Sequence, residues 1–311
     1  MTTLLFRSNA DRADWWRETI GAQLPDLEFR EWPDEAGDLS EIDYALVWKP
    51  ETGLLARLPN LRAIFSLGAG VDHIFSDTEL PRGVPICRVI NPNMALRMRE
   101  WVVMQTLMHH RRHREYDRQN RMKVWQELPQ PHAGERKVGM MGLGELGGDA
   151  ARHLAMLGFD VAGWSRSRRD IEGVTGFHGA DGLDDFLART EILICLLPLT
   201  AATTGIINTD LLAKLPRGAS FINAGRGGHV IEEDLLQALD EGQISEASLD
   251  VFRTEPLPAD SRFWDHPQVT VTPHIAAFSD PRALVDQVVE NIRRDQAGEP
   301  LINTVDTERG Y

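Results

Sequence analysis

The sequence predicts an α/β protein built from two doubly wound parallel-sheet domains, and three observations carry that expectation. Its 311 residues are about twice the usual size of a single domain. Short apolar runs alternate with helix-like stretches in two separate series, the pattern of a parallel sheet with helices on its faces. Between the two series lies an irregular connector, Leu128-Pro129-Gln130-Pro131-His132-Ala133-Gly134.

In the first series Thr3–Arg7, Tyr44–Trp48, Ala63–Leu67 and Ile86–Val89 read as strands, and Trp15–Gln23 as a helix. Asn91-Pro92-Asn93 then breaks the chain and offers Asn93 as the N-cap of a long helix over Ala95–Tyr116. The second series opens with a strand at Lys137–Gly142, continues with another at Phe159–Trp164, and runs to about Pro273. A last helix is expected over Pro281–Ala297.

With 42% hydrophobic and 26% charged residues the composition is that of an ordinary soluble protein, and apolar runs such as Ile192–Leu197 are far too short to cross a bilayer. The amino-terminal apolar run stops at Arg7, too soon for a secretory signal, so a cytoplasmic location is expected. Cys87 and Cys195 sit in apolar strand-like settings that suit buried thiols in a reducing compartment, and neither is a good candidate nucleophile. Thirty-three basic against 47 acidic residues leave a net charge of −14, a field that repels nucleic acid and anionic membranes. Neither is an expected partner, and an anionic substrate must be met by locally placed positive charge. The basic run His109-His110-Arg111-Arg112-His113-Arg114 is expected to be a solvated or subunit-facing surface of the long helix. Nothing in the sequence demands a metal.

Val138-Gly139-Met140-Met141 is an apolar strand that runs into Gly142-Leu143-Gly144-Glu145-Leu146-Gly147 and a helix-like stretch to Leu157. This is GxGxxG in its strand–turn–helix context, the Rossmann dinucleotide fingerprint. Gly142, Gly144 and Gly147 allow a tight turn, close approach to a pyrophosphate and close helix packing, while the helix start at Glu145 and Leu146 supplies amide donors. Glu145 brings an awkward negative charge to that spot. A strand that binds NAD ordinarily ends in a carboxylate for the ribose 2′-hydroxyl, but here Ser165-Arg166-Ser167-Arg168-Arg169 follow Trp164. Arginines suit a 2′-phosphate, so NADPH (NADP) is the expected cofactor, with NADH second.

Three later strand ends carry polar groups to the edge where open α/β sheets bind ligands. Ser220–Asn223 leads through Ala224 and Gly225 to Arg226, whose fork can clamp a carboxylate and polarise the carbonyl beside it. Ala247–Phe252 leads to Glu255, and Val269–Pro273 leads to His274. Hydride transfer to a keto acid needs such a clamp, a proton donor for the developing alkoxide, and a carboxylate that steadies the imidazolium. His274 is the expected donor, so reduction should weaken along a basic limb. Gly68, Ala69 and Gly70 offer backbone amides to a substrate carboxylate, because glycines permit close approach.

Taken together, the Leu67-Gly68-Ala69-Gly70-Val71-Asp72 stretch, the glycine turn, Trp164-Ser165-Arg166, Pro198-Leu199-Thr200 with Thr203, the Arg226 motif, Asp250-Val251-Phe252 through Glu255-Pro256-Leu257-Pro258, and Thr272-Pro273-His274 resemble the D-isomer-specific 2-hydroxyacid dehydrogenases. Within that family they are most similar to the glyoxylate/hydroxypyruvate reductase branch, and the resemblance extends to Arg309-Gly310-Tyr311. It implies a flavodoxin-like substrate domain of residues 1–94 and 275–311, with a Rossmann NADP-binding domain of residues 95–274 inserted into it. Arg226 would bind the substrate carboxylate and carbonyl, with His274 as acid–base oriented by Glu255. Leu197, Pro198, Thr203, Ala224, Gly225 and Asp250 would line the cofactor, and Trp48 would wall a small substrate pocket. The resemblance also implies a homodimer through the long helix, with Trp125 a candidate to reach the partner subunit. The implied reaction is NADPH-dependent reduction of small 2-keto acids, glyoxylate to glycolate and hydroxypyruvate to glycerate. Two rivals stand beside it: a dehydrogenase of another 2-hydroxy acid such as D-lactate or phosphoglycerate, and a nucleotide-sensing scaffold without turnover.

Overall fold

Five strands, β1 (Thr2–Arg7), β2 (Leu27–Glu31), β3 (Tyr44–Val47), β4 (Ala63–Ser66) and β5 (Ile86–Cys87), form a parallel sheet in the order β2-β1-β3-β4-β5. This is the flavodoxin-like order, whose topological switch point falls between β1 and β3. Successive strand residues face opposite sides, so both faces must be covered. Leu4, Phe6, Tyr44 and Leu46 pack under helices Ala13–Gln23 and Pro281–Gln296, which contribute Trp16, Ile20, Val285 and Ile292. On the other face Leu5, Ala45, Val47 and Ile64 meet Leu54, Leu55, Leu58 and Ile74.

Seven more strands form a second parallel sheet: β6 (Lys137–Met141), β7 (Asp160–Ser165), β8 (Val174–His178), β9 (Ile192–Cys195), β10 (Ala219–Asn223), β11 (Ile244–Leu249) and β12 (Val269–Val271). Their order is β12-β11-β10-β9-β6-β7-β8. Counted from β6 this is the 3-2-1-4-5-6 Rossmann order with one strand added beyond the sixth, and the chain reverses direction across the sheet between β6 and β9. Its two faces carry separate cores, one around Phe186, Phe221 and Leu235, the other around Met98, Val102, Ala150 and Leu154. Burying each large side chain of this kind stabilises by roughly 1.5–3 kcal/mol. Both sheets are parallel with helices on both faces, as the sequence predicts.

The computed structural model describes residues 2–8, 11–68, 70–88, 90, 92–277 and 281–306. It divides into two units, Met1–Pro92 with Ser279–Tyr311, and Asn93–Phe278. Among the described residues no helix is long and apolar enough to cross a membrane. Cys87 and Cys195 are buried free thiols, each pushed up to about 12 by burial, which keeps them protonated and inert.

The expected long helix does not run unbroken. It spans Pro92–His110, which puts Asn93 inside the first turn instead of at the cap, and a second helix follows at His113–Met122. Arg112 between them is left-handed at φ 56°. Tertiary bonds account for the break: the Arg114 guanidinium donates to the Pro267 carbonyl at 3.0 Å and to the Thr270 hydroxyl. The basic run is likewise not a wholly solvated face, because His109 and His110 are buried. His109 Nε2 lies 2.8 Å from the Ser248 hydroxyl, and burial holds its imidazole down to about 3, so it is neutral. Beside it burial pushes the Glu246 carboxyl up to about 7, against the opposing pull of Arg114.

Candidate active site

β10 is buried along its whole length and ends at Asn223, whose side chain shapes the turn that follows. Its Oδ1 accepts from the Gly225 N–H at 3.1 Å and its Nδ2 donates to the Arg226 carbonyl at 3.2 Å. Arg226 is half-buried, and its Nη1 donates to the Gly225 carbonyl at 2.8 Å. Gly227 is obligatory here: a Cβ on it would stand 1.8 Å from the carbonyl carbon of Phe252, beyond the end of β11. The segments after β10 and β11 are therefore in backbone contact.

That contact brings in Glu255. Its Oε1 accepts from the Phe252 N–H at 3.1 Å, and its Oε2 lies 2.9 Å from Nδ1 of His274, which follows β12. The Glu255 side chain is 20% exposed and that of His274 36%, so a mostly buried carboxylate faces an imidazole that solutes can reach. His274 is left-handed at φ 55°, a conformation that costs a non-glycine residue about 1–2 kcal/mol. Asp250, buried at the end of β11, holds it there. Its backbone carbonyl accepts from the His274 N–H at 2.9 Å. Its carboxylate accepts from the Ile275 and Ala276 N–H groups at 2.9 Å each and from the Thr272 hydroxyl at 2.5 Å. Asp250 thereby anchors the histidine loop.

At the switch point between β6 and β9 the glycine turn is close-packed on one side and open on the other. Gly142 has φ 100°, and a Cβ on it would lie 2.6 Å from the Leu196 carbonyl oxygen. A Cβ on Gly147 would lie 1.9 Å from the Gly142 oxygen, which is how the helix packs against the strand. A Cβ on Gly144 would meet nothing within 4 Å, so the backbone there is open to a ligand. Helix Glu145–Met156 begins at this spot, with Glu145 exposed and Leu146 half-buried, and its first-turn amides point out of the helix end. Glu145 itself favours the positive end of the helix dipole, which accounts for a carboxylate at that place. The open backbone and amide donors fit a dinucleotide pyrophosphate.

After β9, Leu197 is buried and Pro198 exposed; the Thr203 hydroxyl donates to the Pro198 carbonyl at 2.7 Å and accepts from the Thr200 N–H at 2.8 Å. Ala224 and Gly225 are buried at the neighbouring strand end. After β7, the Ser165 hydroxyl donates to the Ser167 carbonyl at 2.7 Å, and exposed Arg166, Ser167 and Arg168 form the following loop. Arg168 Nε donates to Asp170 at 3.1 Å, a carboxylate just beyond the loop. Both side chains are more than three-quarters exposed, so the pair is worth at most about 1 kcal/mol and yields readily to a phosphate.

In the other unit, Trp48 follows β3 at the switch point. A Cβ on Gly68 would lie 2.4 Å from the Trp48 ring, so the indole packs directly on the glycine backbone. The Ser66 hydroxyl donates to the Gly68 carbonyl at 2.9 Å and approaches that of Gly70 at 3.3 Å. His73 Nε2 stands 3.1 Å from the same hydroxyl, and its Nδ1 accepts from the Lys49 N–H at 3.2 Å. Ala69 lies outside the described residues.

Comparison with known proteins supplies the family. Residues 103–276 match the family model described as D-isomer specific 2-hydroxyacid dehydrogenase, NAD binding domain. A relative from Yersinia enterocolitica, named glyoxylate/hydroxypyruvate reductase A, is 44% identical over 305 residues, 96% of each chain. The chain belongs to the D-isomer-specific 2-hydroxyacid dehydrogenase family. Among solved structures, a family member from Xanthobacter autotrophicus Py2 in complex with NADPH and MES aligns at TM-score 0.91 and 46% identity, covering 100% of this chain and 99% of that one. An NADPH-dependent glyoxylate/hydroxypyruvate reductase from Sinorhizobium meliloti, in complex with NADP and sulfate, aligns at TM-score 0.89 and 47% identity over the full length of both.

Three supporting residues of this dehydrogenase-family chain escape motif reading: Asn223, Ser66 and His73. Each acts through hydrogen bonds to nearby backbone groups, which no spacing in the sequence announces. The signal available was local, an uncharged polar residue or histidine beside a glycine that must stay in place. Among the described residues no group of three or more His, Cys, Asp or Glu side chains could hold a metal.

Proposed function

We propose that the protein is an NADPH-dependent reductase of small 2-keto acids, converting glyoxylate to glycolate and hydroxypyruvate to glycerate. The observation that carries this reading is the 2.9 Å bond between His274 Nδ1 and a mostly buried Glu255, with Arg226 at the end of an adjacent strand of the same sheet. A keto acid offers a carboxylate, which the Arg226 guanidinium can hold through two parallel bonds, and a carbonyl that the same cation polarises. When bound, NADPH supplies the hydride for the keto carbon. His274 gives the proton to the developing alkoxide from Nε2, while Glu255, 2.9 Å from Nδ1, orients the ring. Asp250 acts through the loop, fixing the angle of the imidazole.

The unit Asn93–Phe278 is assigned the cofactor. Gly142, Gly144, Glu145, Leu146 and Gly147 would cradle the pyrophosphate with backbone amides. Ser165, Arg166, Ser167 and Arg168 would take the 2′-phosphate, and Leu197, Pro198, Thr203, Ala224, Gly225 and Asp250 would line the rest. The unit Met1–Pro92 with Ser279–Tyr311 is assigned the substrate, with Gly68, Ala69 and Gly70 offering amides and Trp48 limiting size. The relatives' printed names and their NADP and NADPH complexes support the same reading.

Absorbance decay at the reduced-nicotinamide band tests it. Glyoxylate and hydroxypyruvate should be consumed with NADPH in preference to NADH, and faster than pyruvate. Replacing Arg166 and Arg168 together by alanine removes charge-assisted bonds worth about 1.5–3 kcal/mol each, so KM for NADPH should rise at least ~10–100-fold while KM for NADH stays put. Equal or better use of NADH by the unaltered protein would overturn the cofactor assignment. NADPH binding without turnover of any acid would favour a sensing scaffold instead.

The working form is assigned as a homodimer in a reducing, cytoplasmic setting. Leu96, Met104 and Leu107 on helix Pro92–His110 are exposed, as are Met122, Val124 and a 99% exposed Trp125. Exposed apolar side chains of that kind suit a protein contact, and a net charge of −14 disfavours nucleic acid or anionic membrane as their partner. Light scattering on a sizing column should give twice the chain mass, and Trp125→Ser with Leu107→Lys should give the monomer; a monomeric parent protein would end this assignment.

A further inference from the structure

We propose that His229 is a positioning residue for Arg226, setting where its guanidinium meets the substrate carboxylate. The inference rests on the reading of Arg226 as the carboxylate clamp. Arg226 has Gly225 before it and Gly227 after it, a flank that by itself leaves the backbone free to rotate. Something outside the flank must hold it.

His229 is completely buried and grips the Arg226 backbone from both sides. Its Nδ1 accepts from the Arg226 N–H at 3.1 Å, and its own N–H donates to the Arg226 carbonyl at 3.2 Å. Because Nδ1 accepts, the ring proton sits on Nε2. The imidazole edge also fills the space beside Gly225, where a Cβ would come within 3.1 Å of Cε1 and 3.2 Å of Nδ1. His229 is in turn fixed to a neighbouring segment, since its carbonyl accepts from the Ile207 N–H at 2.9 Å. The Arg226 backbone is thus tied through His229 to the interior, while the side chain stays half-buried at the sheet edge. A neutral buried histidine at this place supplies an acceptor of fixed direction without bringing a second charge beside the guanidinium.

The test compares four single variants and one double. His229→Leu keeps the bulk and loses the acceptor, and should lower kcat/KM for glyoxylate by about ten- to a hundredfold, the scale of a misplacement of about 1 Å. KM should carry most of the loss, and NADPH binding, followed by nicotinamide fluorescence, should not change. His229→Asn keeps an acceptor at the Nδ1 position and should recover most of the activity; His229→Met serves as the acceptor-free variant if the leucine form does not fold. In an Arg226→Met background, His229→Leu should cost nothing further, because a residue acting through Arg226 has no effect once Arg226 is gone. Equal losses in the Asn and Leu variants, or losses that add in the double variant, would overturn the positioning role. An Arg226→Met protein with undiminished activity would instead overturn the clamp reading beneath it.

Discussion

Replacing His274 by asparagine is expected to lower kcat for keto-acid reduction by about 10²–10⁴-fold, the usual contribution of a positioned general acid. Asparagine preserves much of the shape and a hydrogen-bonding group toward Glu255, but it has no proton to give. NADPH binding should be unaffected, since the glycine turn follows β6 and the histidine follows β12, strands that are not neighbours in the sheet. Glu255→Gln removes the carboxylate 2.9 Å from Nδ1 that orients the imidazole, and should also lower kcat with NADPH binding unchanged. The measurement is the rate of reduction with deuterated NADPH, which shows whether hydride transfer limits the rate. An asparagine variant with undiminished kcat and a full isotope effect would remove His274 from the role of acid.

The second large effect belongs to Arg226. Deleting a preorganised donor from the site of charge development typically costs about 10²–10³-fold in rate, and Arg226→Met should fall in that range for kcat/KM with glyoxylate. Arg226→Lys should recover little. Lysine restores the charge, but its single ammonium cannot form the two parallel bonds that fix a carboxylate and still reach the carbonyl. A lysine variant with near-parental activity would reduce the requirement to charge alone, and a methionine variant within about threefold of the parent would exclude Arg226 from substrate binding.

Much of this architecture was legible because its signals are local. The strand running into Gly142-Leu143-Gly144-Glu145-Leu146-Gly147 needs no distant information, since steric limits at the turn dictate the glycines. Arg226, Glu255 and His274 could be grouped because each follows an apolar strand, and parallel topology sends such ends to one edge. Edge strands were harder. β2 and β8 are only partly buried, so neither shows the continuous apolar run of β3 or β9, and nothing in Leu27–Glu31 or Val174–His178 marks them as paired. The break at Arg112 was invisible for another reason: no glycine or proline signals it, and the bonds that favour it join Arg114 to Pro267 and Thr270, far along the chain. Asp250 shows the same limit from the side of function. Its residue type was legible, but the three donors that engage its carboxylate come from a loop that only folding brings near.

The left-handed backbone at His274 has a consequence for the timing of work in the reaction cycle. Its unfavourable conformation is met once, when Asp250 closes the loop during folding, and not again at each turnover. With His274 as the proposed acid, an imidazole held in this way would have no search to perform before it meets a carbonyl oxygen. The chemical step should then carry little activation entropy from the acid, and its temperature dependence should follow bond rearrangement instead of side-chain alignment.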